Sequence, residues 1–306
     1  MANFLVTGAS GFIGTWVIKH LLDQNHQVTA LDQEPGNELW SRVLGKQAES
    51  FLFATTNLTC PNDLAELIKR NDIEFIVHLA ALLTPACQND PWLGLQTNVV
   101  GSVALFEAAR QTRKVKAISY TSSSAVYGEG RDQRESPPMF YGAFKQSVDL
   151  IAEQYWLHEN LRSIAIRPHV VYGPERQTGL TAGPSLAARA AVLQKPYCIG
   201  YTGIAGYDFV EDVANGLVRG AIECPPGATV VDMPSQQAFP EDLVKTMETI
   251  LPGSENLISI QGPQLPISRP FRPNYLETVF PDFQPITLRE GLRKTIDYYQ
   301  DPSWIG

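Results

Sequence analysis

Short runs rich in β-branched and aliphatic residues alternate with amphipathic stretches through the first half of the chain. Asn3–Thr7, Gln27–Leu31, Glu49–Ala54, Phe75–Leu79, Val115–Thr121 and Arg162–Arg167 predict strands. Phe75–Leu79 has the dense apolar character of a strand buried on both faces of a parallel sheet. Between the strands, Phe12–Asp23 carries Ile13, Val17, Ile18, Leu21 and Leu22 on one helical stripe. Asp63–Arg70, Asn98–Gln111 and Tyr141–Trp156 predict further helices, the last with Val148, Ile151 and Tyr155 on one face. Alternating βα units of this kind imply an α/β fold built on a doubly wound parallel sheet with right-handed crossovers.

After Val171 the texture changes, with frequent Pro and Gly and irregular spacing. Helices are predicted at Ser185–Gln194, Asp212–Ile222, Pro240–Ile250 and Leu288–Tyr299, where Leu288, Leu292 and Ile296 recur every fourth residue. The expected organisation is a first domain over 1–170 and a smaller, mainly substrate-binding lobe over 171–306, with a later strand or helix returning to the first sheet.

The 306 residues suit one large α/β unit with an appended lobe. A hydrophobic share of 44% and a charged share of 18% are those of an ordinary globular protein. The net charge of −8 argues against a nucleic-acid footprint, although it leaves room for a local basic pocket. Cys60, Cys87, Cys198 and Cys224 are scattered, without C-x-x-C spacing or a nearby histidine, so reduced thiols and no metal are expected. No signal peptide is visible, and no apolar run approaches the roughly 20 residues that cross a bilayer. A cytoplasmic enzyme with a small-molecule substrate, and without a membrane or nucleic-acid partner, is the expectation.

Two stretches carry candidate chemistry. V-T-G-A-S-G-F-I-G places Gly8, Gly11 and Gly14 between the first strand and the first helix, with Phe12 and Ile13 opening the helix. There the backbone can turn tightly and approach a pyrophosphate, whose charge meets the helix N-terminus. This is the Rossmann-type dinucleotide cradle in its confirming strand–turn–helix context. Asp32 ends the second strand, where a carboxylate accepts from the adenosine ribose hydroxyls and repels a 2′-phosphate. No Lys or Arg follows it directly, so NAD is favoured over NADP. The second stretch is Tyr141–Lys145, YGAFK, whose tyrosine and lysine share a helix face. That spacing alone is common in any helix.

With these pieces together the chain resembles the extended short-chain dehydrogenase/reductase family, often labelled NAD-dependent epimerase/dehydratase, over nearly its whole length. The family's T-G-x-x-G-x-x-G is Thr7–Gly14, and its acidic-aliphatic adenine contact is Asn57–Leu58, with Asn in place of the usual Asp. Its H-x-A-A is His78–Ala81, which brings Leu79, Ala80 and Ala81 to the cofactor, and its N-x-x-G is Asn98–Gly101. Its S-S-x-x-V-Y-G is Ser122–Gly128, its Y-x-x-x-K is Tyr141–Lys145, and its R-P-x-x-V-Y-G-P is Arg167–Pro174, which adds Pro168 and Val170. The resemblance implies Tyr141 as acid/base, Lys145 as its activator and a ribose ligand, and Ser123 as the hydroxyl that orients substrate. A free phenol has a pKa near 10, too high for a base at neutral pH, and a nearby ammonium and an oxidised nicotinamide both favour phenolate. Tyr127 is expected to pack rather than to act as the base. The resemblance also implies a homodimer through the helices at Asn98–Gln111 and Tyr141–Trp156.

Three departures bear on the substrate. Dehydratases of the family carry Asp-Glu just after the Ser/Thr, where this chain has Ser124 and Ala125, so dehydration is not expected. Enzymes of nucleotide-diphosphate sugars often carry Asn at the position of Val170, and R-D-F or R-D-Y where Ala205, Gly206 and Tyr207 stand. A substrate without a nucleotide handle is therefore expected: a sugar, a sugar acid or another small hydroxy compound, oxidised at a secondary alcohol. Leu83, Ser123, Ser124, His169, Arg176 and Thr181 are the candidate substrate contacts. The Arg176 guanidinium would suit a carboxylate or phosphate, though a solvated loop charge is the other reading. The alternative activity is an epimerase that keeps its NAD, and a catalytically idle NAD-binding protein stands behind both.

Overall fold

A computed structural model describes residues 1–128, 137–265 and 274–305. The chain begins β1 (Asn3–Thr7), α1 (Phe12–Asp23), β2 (Gln27–Leu31), α2 (Asn37–Leu44), β3 (Leu52–Ala54), α3 (Pro61–Arg70) and β4 (Phe75–His78). It continues α4 (Thr84–Asn89), α5 (Pro91–Leu95), α6 (Gly101–Thr112), β5 (Ala117–Thr121), α7 (Phe140–Glu159) and β6 (Arg162–Arg167). The later part holds β7 (Val170–Tyr172), α8 (Gly183–Val192), β8 (Tyr197–Ile199), β9 (Ala205–Phe209), α9 (Val210–Ile222) and β10 (Ala228–Asp232). It ends with β11 (Gln236–Ala238), α10 (Pro240–Ile250), β12 (Ile258–Ile260) and α11 (Leu288–Gln300).

Seven strands form one all-parallel sheet in the order β3-β2-β1-β4-β5-β6-β10. The strand order reverses between β1 and β4, which opens the crevice where such sheets bind ligands. Alternation along β1 sends Phe4 and Val6 into a core shared with α1 and α9, and Leu5 into one shared with α3, α6 and α7. A large aliphatic side chain fully buried in either core contributes about 2 kcal/mol. The later segment returns to this sheet twice, through α9 on its face and β10 at its edge. The small lobe packs β7, β9 and β11, and β8 with β12, around a third core with α8, α10 and α11. Leu292 and Ile296 of α11 are buried there, as their spacing predicts. Among the described residues no helix is long and apolar enough to cross a membrane.

Candidate active site

A cleft of about 720 Å³ runs from the β1–α1 turn across the carboxyl ends of the central strands to the loop before α8. One end is built by the glycine turn. Gly8 has φ +66°, and a Cβ on it would stand 2.7 Å from the Ala80 nitrogen, so only glycine lets β1 leave the sheet this close to the β4 loop. Thr7 fixes that loop. Its hydroxyl accepts from the Leu79 and Ala80 amides, both at 3.2 Å, and lies 2.6 Å from His78 Nδ1. His78 Nε2 in turn lies 2.9 Å from the Ser102 hydroxyl, which donates to the Asn98 carbonyl. Burial pushes this histidine down to about 3, so it is a neutral strut between β1, β4 and α6.

The other cofactor positions fit a dinucleotide. Gly8, Gly11, Phe12, Ile13, Gly14, Asp32, Asn57, Leu58, Leu79, Ala80, Ala81 and Pro168 all line the cleft. The Asp32 carboxylate is held by the Ser10 amide at 2.9 Å and the Gln33 amide at 2.8 Å, which leaves acceptor capacity for hydroxyls. Asn57 accepts from the Thr59 amide and hydroxyl at 3.0 and 2.8 Å. Two of the expected positions, Asn98 and Val170, are not among the residues that line the cleft. Asn98 is buried off the cleft, where its amide is taken up by the Leu82 backbone, 2.7 Å from the nitrogen and 2.9 Å from the oxygen. In this position it shapes the loop after β4. Val170 points into the core of the small lobe, and the residues on either side of it, His169 and Val171, line the cleft.

At the centre of the cleft stand Ser123, Tyr141 and Lys145. Ser123 caps a 3-10 turn (Ser124–Val126), and its hydroxyl accepts from the Ala125 amide at 3.1 Å. That leaves its own proton for the Tyr141 phenol, whose ionised form Ser123 favours. Lys145 Nζ donates to the Thr121 carbonyl at 2.7 Å and lies 5.7 Å from the centre of the Tyr141 ring. Burial lowers Lys145 to about 8, against the pull of Asp149 one turn later. The phenol differs from expectation. Burial raises Tyr141 to about 12, and Ser123 and Arg176 only partly offset this. Lys145 is not among the groups that shift the phenol, and its Nζ is turned to the Thr121 carbonyl.

Below the site Asp149 accepts from Arg167 Nη2 at 2.7 Å and from the Ser122 hydroxyl at 2.8 Å. Arg167 Nη1 donates to the Tyr127 hydroxyl at 2.9 Å, which donates to Asp232 at 3.0 Å. Tyr127 is thus a buried member of a charge network under the cleft, and it does not line it.

In the substrate half, Leu83, Ser124, His169, Arg176 and Thr181 all face the cleft. Arg176 Nη2 donates to the Thr181 hydroxyl at 2.7 Å, Nη1 donates to the Val171 carbonyl, and the guanidinium lies 6.0 Å from the centre of the Phe12 ring. Among the described residues no carboxylate pairs with it. Burial lowers it to about 10, so it stays charged at neutral pH. The His169 amide donates to Asp208 at 2.7 Å, while its buried Nδ1 has no partner among the described residues. Burial pushes His169 down to about 4 and Asp208 up to about 7. Sequence reasoning missed Met139, Leu180 and Leu265, which give the cleft an apolar wall. No local pattern marks Leu265, which arrives from the loop after β12.

A family profile described as the NAD dependent epimerase/dehydratase family matches residues 4–224. The chain belongs to that family. A UDP-glucose 4-epimerase from Mycolicibacterium smegmatis is 28% identical, over 98% of this chain and 99% of the relative. The decarboxylating sterol-4-alpha-carboxylate 3-dehydrogenase of Candida albicans is 26% identical, over 78% of this chain and 70% of its own. The UDP-glucose 4-epimerase of Thermotoga maritima, solved with UDP-glucose, superposes with a TM-score of 0.82 at 22% identity, over 97% of this chain and 98% of that one, which shows the shared fold. Membership makes the chain an NAD-dependent enzyme of the extended short-chain dehydrogenase/reductase type.

Proposed function

We propose that the enzyme oxidises a secondary alcohol of a small anionic hydroxy compound, such as a sugar acid, with Tyr141 as the base. NAD supplies the hydride acceptor when bound. Tyr141 takes the hydroxyl proton, and Ser123 donates a hydrogen bond to the oxygen that becomes a carbonyl, which stabilises the developing charge. Lys145 keeps a desolvated amine beside the phenol. The observation that carries the reading is Arg176, a cation in the cleft without a carboxylate partner among the described residues, close enough to Tyr141 for the two charges to influence each other. Val170 and β9, where diphosphate donors would stand, lie off the cleft in the lobe core.

The relatives favour a second reading. UDP-glucose and UDP-glucuronate 4-epimerases predominate among them. An epimerase would use the same Tyr141, Ser123 and Lys145 and return the hydride to the opposite face. Incubating the protein with NAD and either hydroxy acids or UDP-sugars separates the two. NADH accumulating in step with a hydroxy acid supports the dehydrogenase; conversion of UDP-glucose or UDP-glucuronate to its 4-epimer without free NADH overturns it.

A homodimer is part of the same proposal. Val100 before α6, and Leu150 and Leu157 on α7, are 43%, 60% and 61% exposed, which leaves an apolar surface on the two helices for a second copy.

A further inference from the structure

Glu175 precedes Arg176, yet its side chain points to a different part of the molecule. Its carboxylate is 1% exposed and accepts from Arg42 Nη1 of α2 at 3.2 Å. It also accepts from Trp304 Nε1 at 2.6 Å and Gln177 Nε2 at 3.0 Å. The Glu175 amide donates to the Tyr299 hydroxyl of α11 at 2.8 Å. A buried carboxylate is costly unless paired and hydrogen-bonded, and this one is satisfied from three directions.

The backbone explains why so much is gathered there. Glu175 has φ +68°, a left-handed step that costs a residue with a Cβ about 1 kcal/mol or more. Glycine would adopt it freely. A glutamate holds it only where surrounding contacts over-determine it. That step separates the Pro174 side of the loop, whose carbonyl accepts from Trp16 Nε1 at 3.2 Å, from the Arg176 side, which enters the cleft. The anchoring also takes the Glu175 charge away from the neighbouring guanidinium. Without Arg42 and Trp304 the nearest carboxylate in sequence would be free to neutralise Arg176.

We propose that Glu175 is a positioning residue for substrate: clasped by Arg42, Trp304 and Tyr299, it sets the left-handed step that presents Arg176, uncompensated, to a carboxylate in the cleft. The inference rests on the anion-binding reading of Arg176 given above. It also links α2, beside the cofactor half, and the segment after α11 to the substrate half of the site.

Oxalate, a small planar carboxylate, is the probe, titrated calorimetrically into the NAD-loaded protein at low salt. The parent is expected to bind it and Arg176→Ala to lose it. Glu175→Gln keeps the shape and removes the charge, and Trp304→Phe keeps the ring on Tyr299 and Arg189 and removes only the N–H. Both are expected to weaken oxalate by about tenfold or more, as small misplacements of a binding group do, with NAD affinity unchanged. Parent-like oxalate binding in both variants, with binding lost only in Arg176→Ala, would make Glu175 a mere staple and end the proposal. An equal loss of NAD and oxalate affinity would also end it, as general loosening. If the parent fails to bind oxalate, or Arg176→Ala binds it as well as the parent, the anion-binding reading itself is wrong.

Discussion

The backbone of Gly142 lies against the carbonyl of Ala125, so close that a Cβ at position 142 would stand 2.0 Å from that oxygen. Ala125 follows Ser123 in the 3-10 turn and Gly142 follows Tyr141 in α7, so this contact sets the distance between serine and phenol. Gly142→Ala must push the first turn of α7 off the serine turn. Overpacking of this kind costs about 1–3 kcal/mol, and a shift near 1 Å in a reacting group can cost about a hundredfold in rate. The expected outcome is a lower thermal midpoint and a kcat reduced by about two orders of magnitude. An active Gly142→Ala would show that the contact does not position Tyr141.

Tyr141 is raised to about 12 by burial, so its phenol is neutral at pH 7. An oxidised nicotinamide bound beside it would favour phenolate. By linkage, a ligand that lowers a pKa binds more tightly as pH rises toward that value. NAD affinity of the parent should therefore increase between about pH 7 and 9, as such linkage requires. Tyr141→Phe removes the phenol alone, so the difference between parent and variant isolates it. The stability of the ligand-free protein should run the other way. A phenol whose folded pKa is raised from 10 to about 12 keeps its proton when the unfolded chain loses it, so its contribution falls as pH rises through that window. Identical NAD pH profiles for parent and Tyr141→Phe would remove the phenol from the linkage.

Much of the first sheet was legible because its strands are continuous apolar runs. β1, β2 and β6 carry the boundaries expected from the sequence, and β4 and β5 differ by one or two residues at one end. The glycine cradle was legible because it sits in a strand–turn–helix context, whereas YGAFK, one turn of a helix, was legible only through the family resemblance. The rest depends on distant partners. β7, β8 and β11 are three residues long, and their pairing is set by tertiary contacts. α4 and α5 start with prolines in their first turns and lack a long stripe, so the pattern passed over them. The role of Asn98 could not be read from its spacing, because the Leu82 backbone that occupies it lies across a loop. Glu175 gave no signal at all; its left-handed backbone and its partners from α2 and the segment after α11 exist only in the folded chain.

The Arg167–Asp149 pair is buried on both sides, each side chain about 5% exposed. Removing one member leaves an uncompensated charge in the interior, which costs about 3–5 kcal/mol. Arg167→Met is therefore expected to destabilise by that amount in urea, with an unchanged denaturant slope. It strands Asp149 and also deprives the Tyr127 hydroxyl of a donor. Asp149→Asn, which keeps an acceptor for Ser122 and Arg167, should cost less. Equal stability of Arg167→Met and the parent would mean that water or another cation reaches Asp149.

Leu150 and Leu157 are seven residues apart on α7 and so lie on one helical face. Both are exposed in the single chain, and the opposite side of the helix buries Val148 and Ala152 against the sheet. A stable interface buries about 1,200–2,000 Å² in total, more than two leucines supply, so neighbouring apolar positions such as Val100 must join them. Glutamate at both leucines would place like charges across a two-fold axis and desolvate them. Light scattering on the parent is expected to give the mass of two chains, and Leu150→Glu with Leu157→Glu the mass of one. Because these side chains are mostly exposed within the chain, each substitution should change the stability of the single folded chain by no more than about 0.5 kcal/mol, as ordinary surface changes do. A parent that scatters as a single chain, or a double variant that remains paired, would show that this face does not join two copies.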